Sequence, residues 1–510
     1  MQEPSWAEGY VVDIGYTHGY FRELAPAGLR FVTLLGGVQA ADTDQPFTYY
    51  ELGCGNGYST ALHAAANPQG RFFGIDFNPT HVHNAQRLAQ DSGVENVQFL
   101  EKSFAELRKA DLPEAEIIAL HGVHSWINKE NRQHIVEFIR ERLKPGGIVY
   151  VSYNCMPGLA QDEPLQRLLF QYANLSAGAL PDRLRRSLEF VARLDQAGAE
   201  YFRLNPLAQA RLAHLDKLDP RYLVHEYFTA DWSPSYHADV VKELLAAKLS
   251  YVGSAVFLDN FEQFVLKPEV AKIVAEVGDR TVAETIKDFA RNQSFRRDVF
   301  TRGASRADAP ELESMLGRTR FALARPRPDC RLKRAIPAGE VSLEERAYAP
   351  VLDALARAPM TFDELRCAPE SAQLEYRRLR QAVFGMAALG NILPALPTAG
   401  EERRRAATAK FNSAVLQKQL PGSVTTMLAS PILGAGIAVR FLDRIFLNAP
   451  RKESEAIDYA RERIAASGHR LLKDDKPVES EQQTSAIIEE RARSFFGEVL
   501  PFLRQLGVVE

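Results

Sequence analysis

Cysteine is scarce in this chain of 510 residues: four, at positions 54, 155, 330 and 367, with no CxxC pair among them. Such a spread builds neither the disulfide framework of a small secreted domain nor a thiolate zinc site, and it suits a reducing, cytoplasmic setting. Long apolar runs are missing too. Runs such as GAGIAVRFL (434–442) break on a charge well short of the ~20 residues a membrane-spanning helix needs, so no span is expected. The amino-terminal MQEPSWAEGYVVDIGY carries acids where an export signal would place bases ahead of an apolar stretch, which argues against a leader. Charge of one sign is not in excess either: 62 Lys and Arg face 65 Asp and Glu, a net of −3, and no nucleic-acid partner is expected. HExxH and clustered carboxylates are absent, so no metal centre is expected, and there are no internal repeats.

What is present describes an ordinary globular chain, 46% hydrophobic and 25% charged, long enough for about two to four domains. From residue 47 strand and helix patterns alternate. FTYYEL (47–52), RFFGIDF (71–77), VQFLEKSF (97–104), EIIALHGV (116–123) and IVYVSYN (148–154) read as buried strands. Between them YSTALHAAAN (58–67), THVHNAQRLAQDSG (80–93) and NRQHIVEFIRERLKPGG (131–147) read as helices, the second with Thr80 as N-cap and Gly93 as its stop. This alternation implies a parallel sheet with right-handed crossovers, an α/β fold.

Residues 163–228 turn helical and read as an insertion at the carboxyl edge of that sheet. HADVVKELLAAKL (237–249) then gives one more helix, and SYVGSAVFLD (250–259) with FEQFVLKP (261–268) predicts a terminal hairpin closing the sheet. The expected division is 1–162 plus 229–271 for the α/β domain, 163–228 for the insertion, 272–400 for a second domain and 401–510 for a mostly helical tail. RGASRADAPE (302–311) reads as a linker and PTAGEERRRAA (397–407) as a hinge. EERAYAPVLDALARA (344–358), TFDELR (361–366) and EYRRLRQAVFGMAALGNI (375–392) predict three helices followed by a strand, a succession that resembles a winged helix.

The stretch ELGCGNGYST (51–60) places three glycines in five positions between the first strand and its helix. Glycine admits positive φ and removes the Cβ that keeps a ligand off the backbone, while the helix start offers unpaired N–H groups. No Lys-Ser/Thr follows, so this is not a P-loop. The spacing Glu51-x-Gly53-x-Gly55-x-Gly57 differs from the G-x-G-x-x-G of dinucleotide sites. With Asp76 ending the second strand, suited to two ribose hydroxyls, the pair resembles motif I and its acidic partner in class I methyltransferases, which use S-adenosylmethionine.

The resemblance extends through FFGIDFNPTHVHNA (72–85), LHGVHSWI (120–127), LKPGGIVYVSYNCMPG (143–158), YLVHEYFTADWSPSYHADVVKELLAAKLSYVGSA (222–255), FRRDVFTRG (295–303) and LASPILGAGI (428–437). Together these resemble the bacterial class I methyltransferases that bear a methyltransferase regulatory domain, among them the rickettsial-type protein lysine methyltransferases. The resemblance implies a Rossmann-like methyltransferase sheet with a helical insertion, followed by mostly helical C-terminal domains of which 272–400 is the regulatory one. It places Glu51, Gly53, Gly55 and Gly57 at the methionine and ribose end of the cofactor, Asp76 on the ribose, and Phe77 and Asn78 beside the adenine. Ser103 and Phe104 follow the third strand, where many class I enzymes carry an Asp near the adenine amine. His121 to Trp126 follow the fourth strand and would face the sulfonium.

For methyl transfer the candidates are His121, His124, Trp126, Tyr153 and Asn154, with Tyr16, His18 and Tyr20 in an early lid segment. His225, Glu226, Tyr227 and Tyr236 stand at the insertion boundary. Either His121 or His124 could serve as a base or simply cap its strand end; the aromatic residues could equally be packing. Cys155 reads as structural. HGVHSW replaces the Asn/Asp-Pro-Pro-aromatic motif of adenine-N6 enzymes, and the paired glutamates of arginine methyltransferases are absent, which favours other acceptors. Three expectations stay open: a protein lysine acceptor, a small-molecule N-, O- or C-methyl acceptor, and a non-catalytic cofactor-binding module. A homodimer is compatible with each.

Overall fold

The computed structural model describes residues 19–175, 177–215, 218, 220–418, 425–467, 470–473, 476–478 and 480–510. Seven strands build its central sheet: β1 (Phe47–Leu52), β2 (Gly70–Asp76), β3 (Val97–Glu101), β4 (Ala115–Leu120), β5 (Leu143–Asn154), β6 (Leu249–Ser254) and β7 (Phe295–Arg302). They lie in the order β3-β2-β1-β4-β5-β7-β6, with β1 to β5 parallel and β7 antiparallel to both its neighbours. The near-continuous apolar character of β1 follows from burial on both faces. Tyr49 packs on Phe72 on one face, and Tyr50 stacks on Phe73, 4.9 Å between centroids, on the other. Both hydroxyls find carbonyls, Leu24 O and Pro113 O, as buried tyrosines must.

Four helices cross between the first five strands and beside them: α1 (Pro26–Leu35), α2 (Tyr58–Ala66), α3 (Pro79–Asp91) and α4 (Lys129–Arg142). Thr80 is not the cap of α3. Asn78 is, its side chain accepting from the Thr80 N–H at 2.9 Å, because Pro79 occupies the first helical position and sets the boundary one residue earlier. The insertion is helical as expected, with α5 (Asp162–Ala173), α6 (Leu180–Gln196), α7 (Glu200–Leu204), α8 (Pro206–Leu215) and α9 (Pro220–Tyr227) around their own core of Leu169, Val191, Phe202 and Val224.

The expected hairpin between 250–259 and 261–268 does not form. After β6 the Asn260 side chain accepts from Ser254 N and donates to Ser254 O, closing a tight turn, and helices Glu262–Val265, Pro268–Ala275 and Arg280–Arg291 follow. Here α10 is His237–Leu244 and α11 is Arg280–Arg291. The partner of β6 is β7, so the sheet runs to residue 302 rather than ending near 271. FRRDVFTR is polar on paper because Arg296 and Asp298 point inward. They neutralise each other at 3.0 Å, with Arg296 also paired to Asp288 at 2.7 Å and Glu284 at 3.0 Å.

Two expected flexible joints are structured. Ser305–Arg306 pairs with Val38–Gln39, and Asp308 opens helix Ala309–Arg318 with a capping box. The supposed hinge at 397–407 continues into a long helix, Glu401–Gln417. Within its basic run Arg403 and Arg405 are exposed, whereas Arg404 is buried and donates to the carbonyls of Pro431, Ala399 and Pro397. Between these joints the three helices stand at Glu345–Arg357, Phe362–Cys367 and Tyr376–Ala388. Strand Ile392–Ala395 follows and pairs with Arg320–Leu323. LASPILGAGI lies in an antiparallel hairpin, Thr425–Ser430 with Ala435–Arg440, inside an otherwise mostly helical tail. Among the described residues no helix is long and apolar enough to cross a membrane.

Candidate active site

A cavity of about 960 Å³ opens at the carboxyl ends of β1 to β4, the edge where open α/β sheets bind ligands. One wall is the loop from Glu51 to Ser59 with Asp76, Phe77, Ser103 and Phe104; another carries His121, Gly122 and Trp126. The insertion and its exit contribute Asp162, Arg211, His225, Glu226, Tyr227 and Trp232. Phe21, Asn154, Phe295 and Arg297 close it.

The three glycines of the loop all hold positive φ, yet for different reasons. A Cβ on Gly53 would stand 2.4 Å from Val123 Cγ2, and one on Gly57 would meet Ala85 and Phe99 at 2.5 Å. Both glycines are demanded by packing. Around a Cβ on Gly55, at φ +53°, no atom lies within 4 Å, so of the three this residue alone has open space where a side chain would start. Its N–H donates to Asp76 Oδ2 at 2.8 Å, and Asp76 Oδ1 accepts from Asn78 N at 2.9 Å and faces His81 Nδ1 at 3.3 Å. A carboxylate has about four lone-pair sites, so Asp76 keeps acceptor capacity for a ligand diol. Glu51 is buried and accepts from Thr60 Oγ1 at 2.5 Å. Burial, opposed by that hydrogen bond and reinforced by Asp76, pushes its carboxyl up to about 7.

A bare backbone at Gly55, a vicinal-hydroxyl acceptor at Asp76 and an acid at Glu51 fit the backbone-hugging, cationic methionine and ribose parts of S-adenosylmethionine. On the adenine side Phe77, Ser103 and Phe104 line the cavity, with Ser103 held by Glu106 through both its N–H and its hydroxyl. Asn78 does not line it, because its side chain is spent capping α3.

The methyl-transfer candidates divide. His121, Trp126 and Asn154 are in the wall. The His121 ring lies on Phe21, 3.7 Å between centroids, with Nδ1 2.7 Å from the Tyr150 hydroxyl. Burial, helped by Arg297, lowers His121 to about 3, so the imidazole is neutral throughout the physiological range. His124 and Tyr153 lie behind the wall. His124 faces Glu243 at 3.5 Å, whereas Tyr153 donates to Asp298 at 2.7 Å beneath the sheet edge. The pattern of alternate residues along β5 explains this: Asn154 ends the strand at the cavity while Tyr153 points into the opposite core layer with Val149 and Val151. Cys155 is buried, its thiol pushed up by burial and by Asp288, and it is absent from the wall.

Tyr16 and His18 fall outside the described residues. Tyr20 is not a lid residue: its hydroxyl accepts from Gly436 N in the C-terminal hairpin, while its neighbours Gly19 and Phe21 reach the cavity. Of the insertion-boundary residues His225, Glu226 and Tyr227 line the cavity, and Tyr236 instead stacks on Phe289. Burial, opposed by Arg211, raises Glu226 to about 7, and burial likewise raises Asp162. Sequence reading missed Trp232, Arg211, Phe21, Phe295 and Arg297. Trp232, in the aromatic-rich exit YFTADW, was the one carrying a usable signal. Among the described residues no group of three or more His, Cys, Asp and Glu is placed to hold a metal ion.

The sheet order, with antiparallel β7 slotted between β5 and β6 and a glycine-acid cradle at its carboxyl edge, is that of a class I, S-adenosylmethionine-dependent methyltransferase. Residues 45–194 match the family model described as "Methyltransferase domain" and 219–302 the one described as "Predicted methyltransferase regulatory domain". The chain belongs to the family of methyltransferases that combine these two parts. The uncharacterised protein sll1526 of Synechocystis is 37% identical over 504 residues, 99% of this chain and 100% of that one. RP789 of Rickettsia prowazekii is 26% identical over 279 residues, 53% of this chain and 48% of its own length. PKMT2 of Rickettsia typhi, solved in complex with AdoHcy, shares the fold with a TM-score of 0.69 over 97% of this chain and 99% of its own, at 16% identity. The segment matched as regulatory runs from α9 to the end of β7, the part that supplies one cavity wall and completes the sheet.

Proposed function

We propose that this methyltransferase acts on the side-chain nitrogen of a lysine in a protein. The observation that carries the reading is the make-up of the cavity beyond the glycine loop. Trp126, Tyr227, Trp232 and Phe295 give it aromatic sides, and Asp162 and Glu226 give it two carboxyls, a lining suited to an unbranched alkyl ammonium. The shared fold with PKMT2 over nearly the whole chain, C-terminal domains included, supports the reading, as does the amount of chain beyond the sheet available to grip a polypeptide. The free thiols of its buried cysteines accord with a cytoplasmic setting.

In this reading Glu51, Gly53, Gly55, Gly57 and Asp76 hold the donor, with Phe77, Ser103 and Phe104 around its base. Bound there, S-adenosylmethionine supplies an electrophilic methyl on a sulfonium. The protein's part is then to align the acceptor nitrogen and exclude water. His121, kept neutral and tethered to Tyr150, fixes the wall of the transfer site without adding a charge that would repel the ammonium. Incubation with methyl-labelled donor and a protein extract, followed by peptide mass spectrometry, should locate the label on lysine. Label confined to small molecules would overturn the reading and select a metabolite acceptor in the same space.

A further inference from the structure

The acids of the cavity fall into two groups. Glu51 is engaged by Thr60, Asp76 by Gly55 and Asn78, and Glu106 by Ser103. Glu226, near the end of α9, belongs to the second group with Asp162 and Glu101, all in the cavity wall, none of whose carboxylates accepts a hydrogen bond from a described residue. Arg211 of α8, the charged group that acts on Glu226, donates from its Nε to the Tyr227 hydroxyl at 3.0 Å. Asp162 of α5 and His225 of its own helix line the same wall, while the face of α6 packed against α9 is apolar, with Leu184, Leu188 and Val191. A half-buried carboxylate with unused acceptor capacity, in a cavity that the paired indoles of Trp126 and Trp232 also line, lacks only a cationic partner.

We propose that Glu226 takes the proton that the acceptor ammonium must lose before it can be methylated. This deepens the lysine reading and rests on it. The ammonium donates one N–H to the Glu226 carboxylate and passes that proton to it, leaving a neutral amine with a free lone pair. That pair forms the N–CH3 bond as the S–CH3 bond breaks, and the positive charge moves from sulfur to the methylated nitrogen. Glu226 returns its proton to solvent when the product leaves. A carboxyl that titrates close to neutrality is matched to this task, being able to accept the proton and to release it again.

The test compares wild type, Glu226→Gln and Glu226→Asp in the full-length protein, with methyl-labelled donor and heat-treated cytosolic protein extract as acceptor. Rates at each labelled site are read from pH 6 to 9.5, and S-adenosylhomocysteine affinity by calorimetry. In wild type kcat rises through a limb near pH 7. In Glu226→Gln that limb is gone, kcat falls about 100-fold at pH 7 and recovers toward alkaline pH as the free amine itself deprotonates. Glu226→Asp restores part of the limb, and product affinity is the same in all three. A Glu226→Gln profile parallel to wild type, or a change in KM with kcat unaltered, overturns the proton role. Wild-type label on a metabolite amine overturns the lysine reading alone, and the three-way comparison is then run on that amine. Label on a non-amine acceptor overturns both.

Discussion

At Gly55 the chain holds φ +53° with open space where a side chain would start, and its N–H is tied to Asp76. Gly55→Ala therefore places a methyl group in the ligand's path and adds about 1–2 kcal/mol of backbone strain. The expected outcome is at least a tenfold loss of S-adenosylhomocysteine affinity with little loss of melting temperature beyond that strain. Gly53→Ala and Gly57→Ala, which drive a Cβ into Val123 and Phe99, should instead lower the melting temperature first. Calorimetry and thermal melts on the three variants separate the two roles, and equal affinity in Gly55→Ala would remove Gly55 from the binding surface. Asp76→Ala should weaken product binding by about 1–3 kcal/mol. Glu51 adds a pH dependence. Its carboxyl is pushed up to about 7, so below pH 7 it is protonated, and a cationic ligand end would draw the proton off. Donor affinity should then fall by up to about tenfold per pH unit below 7, with proton release seen as a buffer-dependent binding enthalpy. Glu51→Gln should flatten that slope; a flat wild-type slope would place the cationic end elsewhere. The glycine-acid pairing was legible because it is local, a strand end and a loop. That two of the glycines answer to packing was not legible, because Val123, Ala85 and Phe99 come from other elements.

Among the elements, β7 shows most clearly where pattern reading fails. Its inward Arg296 and Asp298 imitate a solvated segment, and their burial is made tolerable by their mutual ion pair, by Asp288 and Glu284 of α11 on Arg296, and by Tyr153 and His237 on Asp298. Removing the hub should be costly: Arg296→Met leaves the Asp288 carboxylate without its ion pair and takes one partner from Asp298 and Glu284, which keep His237 and Lys287, an expected loss of about 3–5 kcal/mol in denaturant unfolding. A loss under 1 kcal/mol would mean that the network contributes little. Burial alone would raise the carboxyl of Asp298, but Arg296 and His237 overcome it and hold it down at about 2. A depressed acid stabilises the fold above its unfolded pKa of about 3.9 and loses that contribution as pH falls toward 2. Wild type should therefore lose stability relative to Asp298→Asn between about pH 4 and 2, visible as converging melting curves. By contrast β1 to β5 and their helices were legible element by element, since a parallel strand buried on both faces shows as a short apolar run bounded by turn residues.

On the scale of the molecule, the tail is built into the catalytic part. Every residue of α2, the helix that starts at the glycine loop, is buried. Helix Glu401–Gln417 and the hairpin 425–440 cover it, with the Tyr58 hydroxyl donating to Met427 O at 2.6 Å and the Asn67 amide to Gly434 O at 3.0 Å. A helix buried on every face, Ser59, Thr60 and His63 included, needs cover on both sides. A chain ending at residue 400 should thus fail to bind S-adenosylhomocysteine and expose apolar surface to a hydrophobic dye, whereas the full chain should melt in a transition shared by both parts. Independent binding by the truncated chain would show that the tail is dispensable to the cradle.

Local pattern was enough for the Rossmann-like sheet through β5, the glycine loop tied to Asp76, the helical insertion and the family, because periodicity, turn residues and short motifs are carried by neighbours in the chain. The identity of the sheet's last strand, the buried arginine that ties a supposed hinge to the neighbouring hairpin, and the removal of His124 and Tyr153 from the cavity wall were decided by the folded molecule. Each depends on whether a charge or ring meets a partner tens to hundreds of residues away, and the energy of burying a polar group is set by that partner and not by the group's own sequence context.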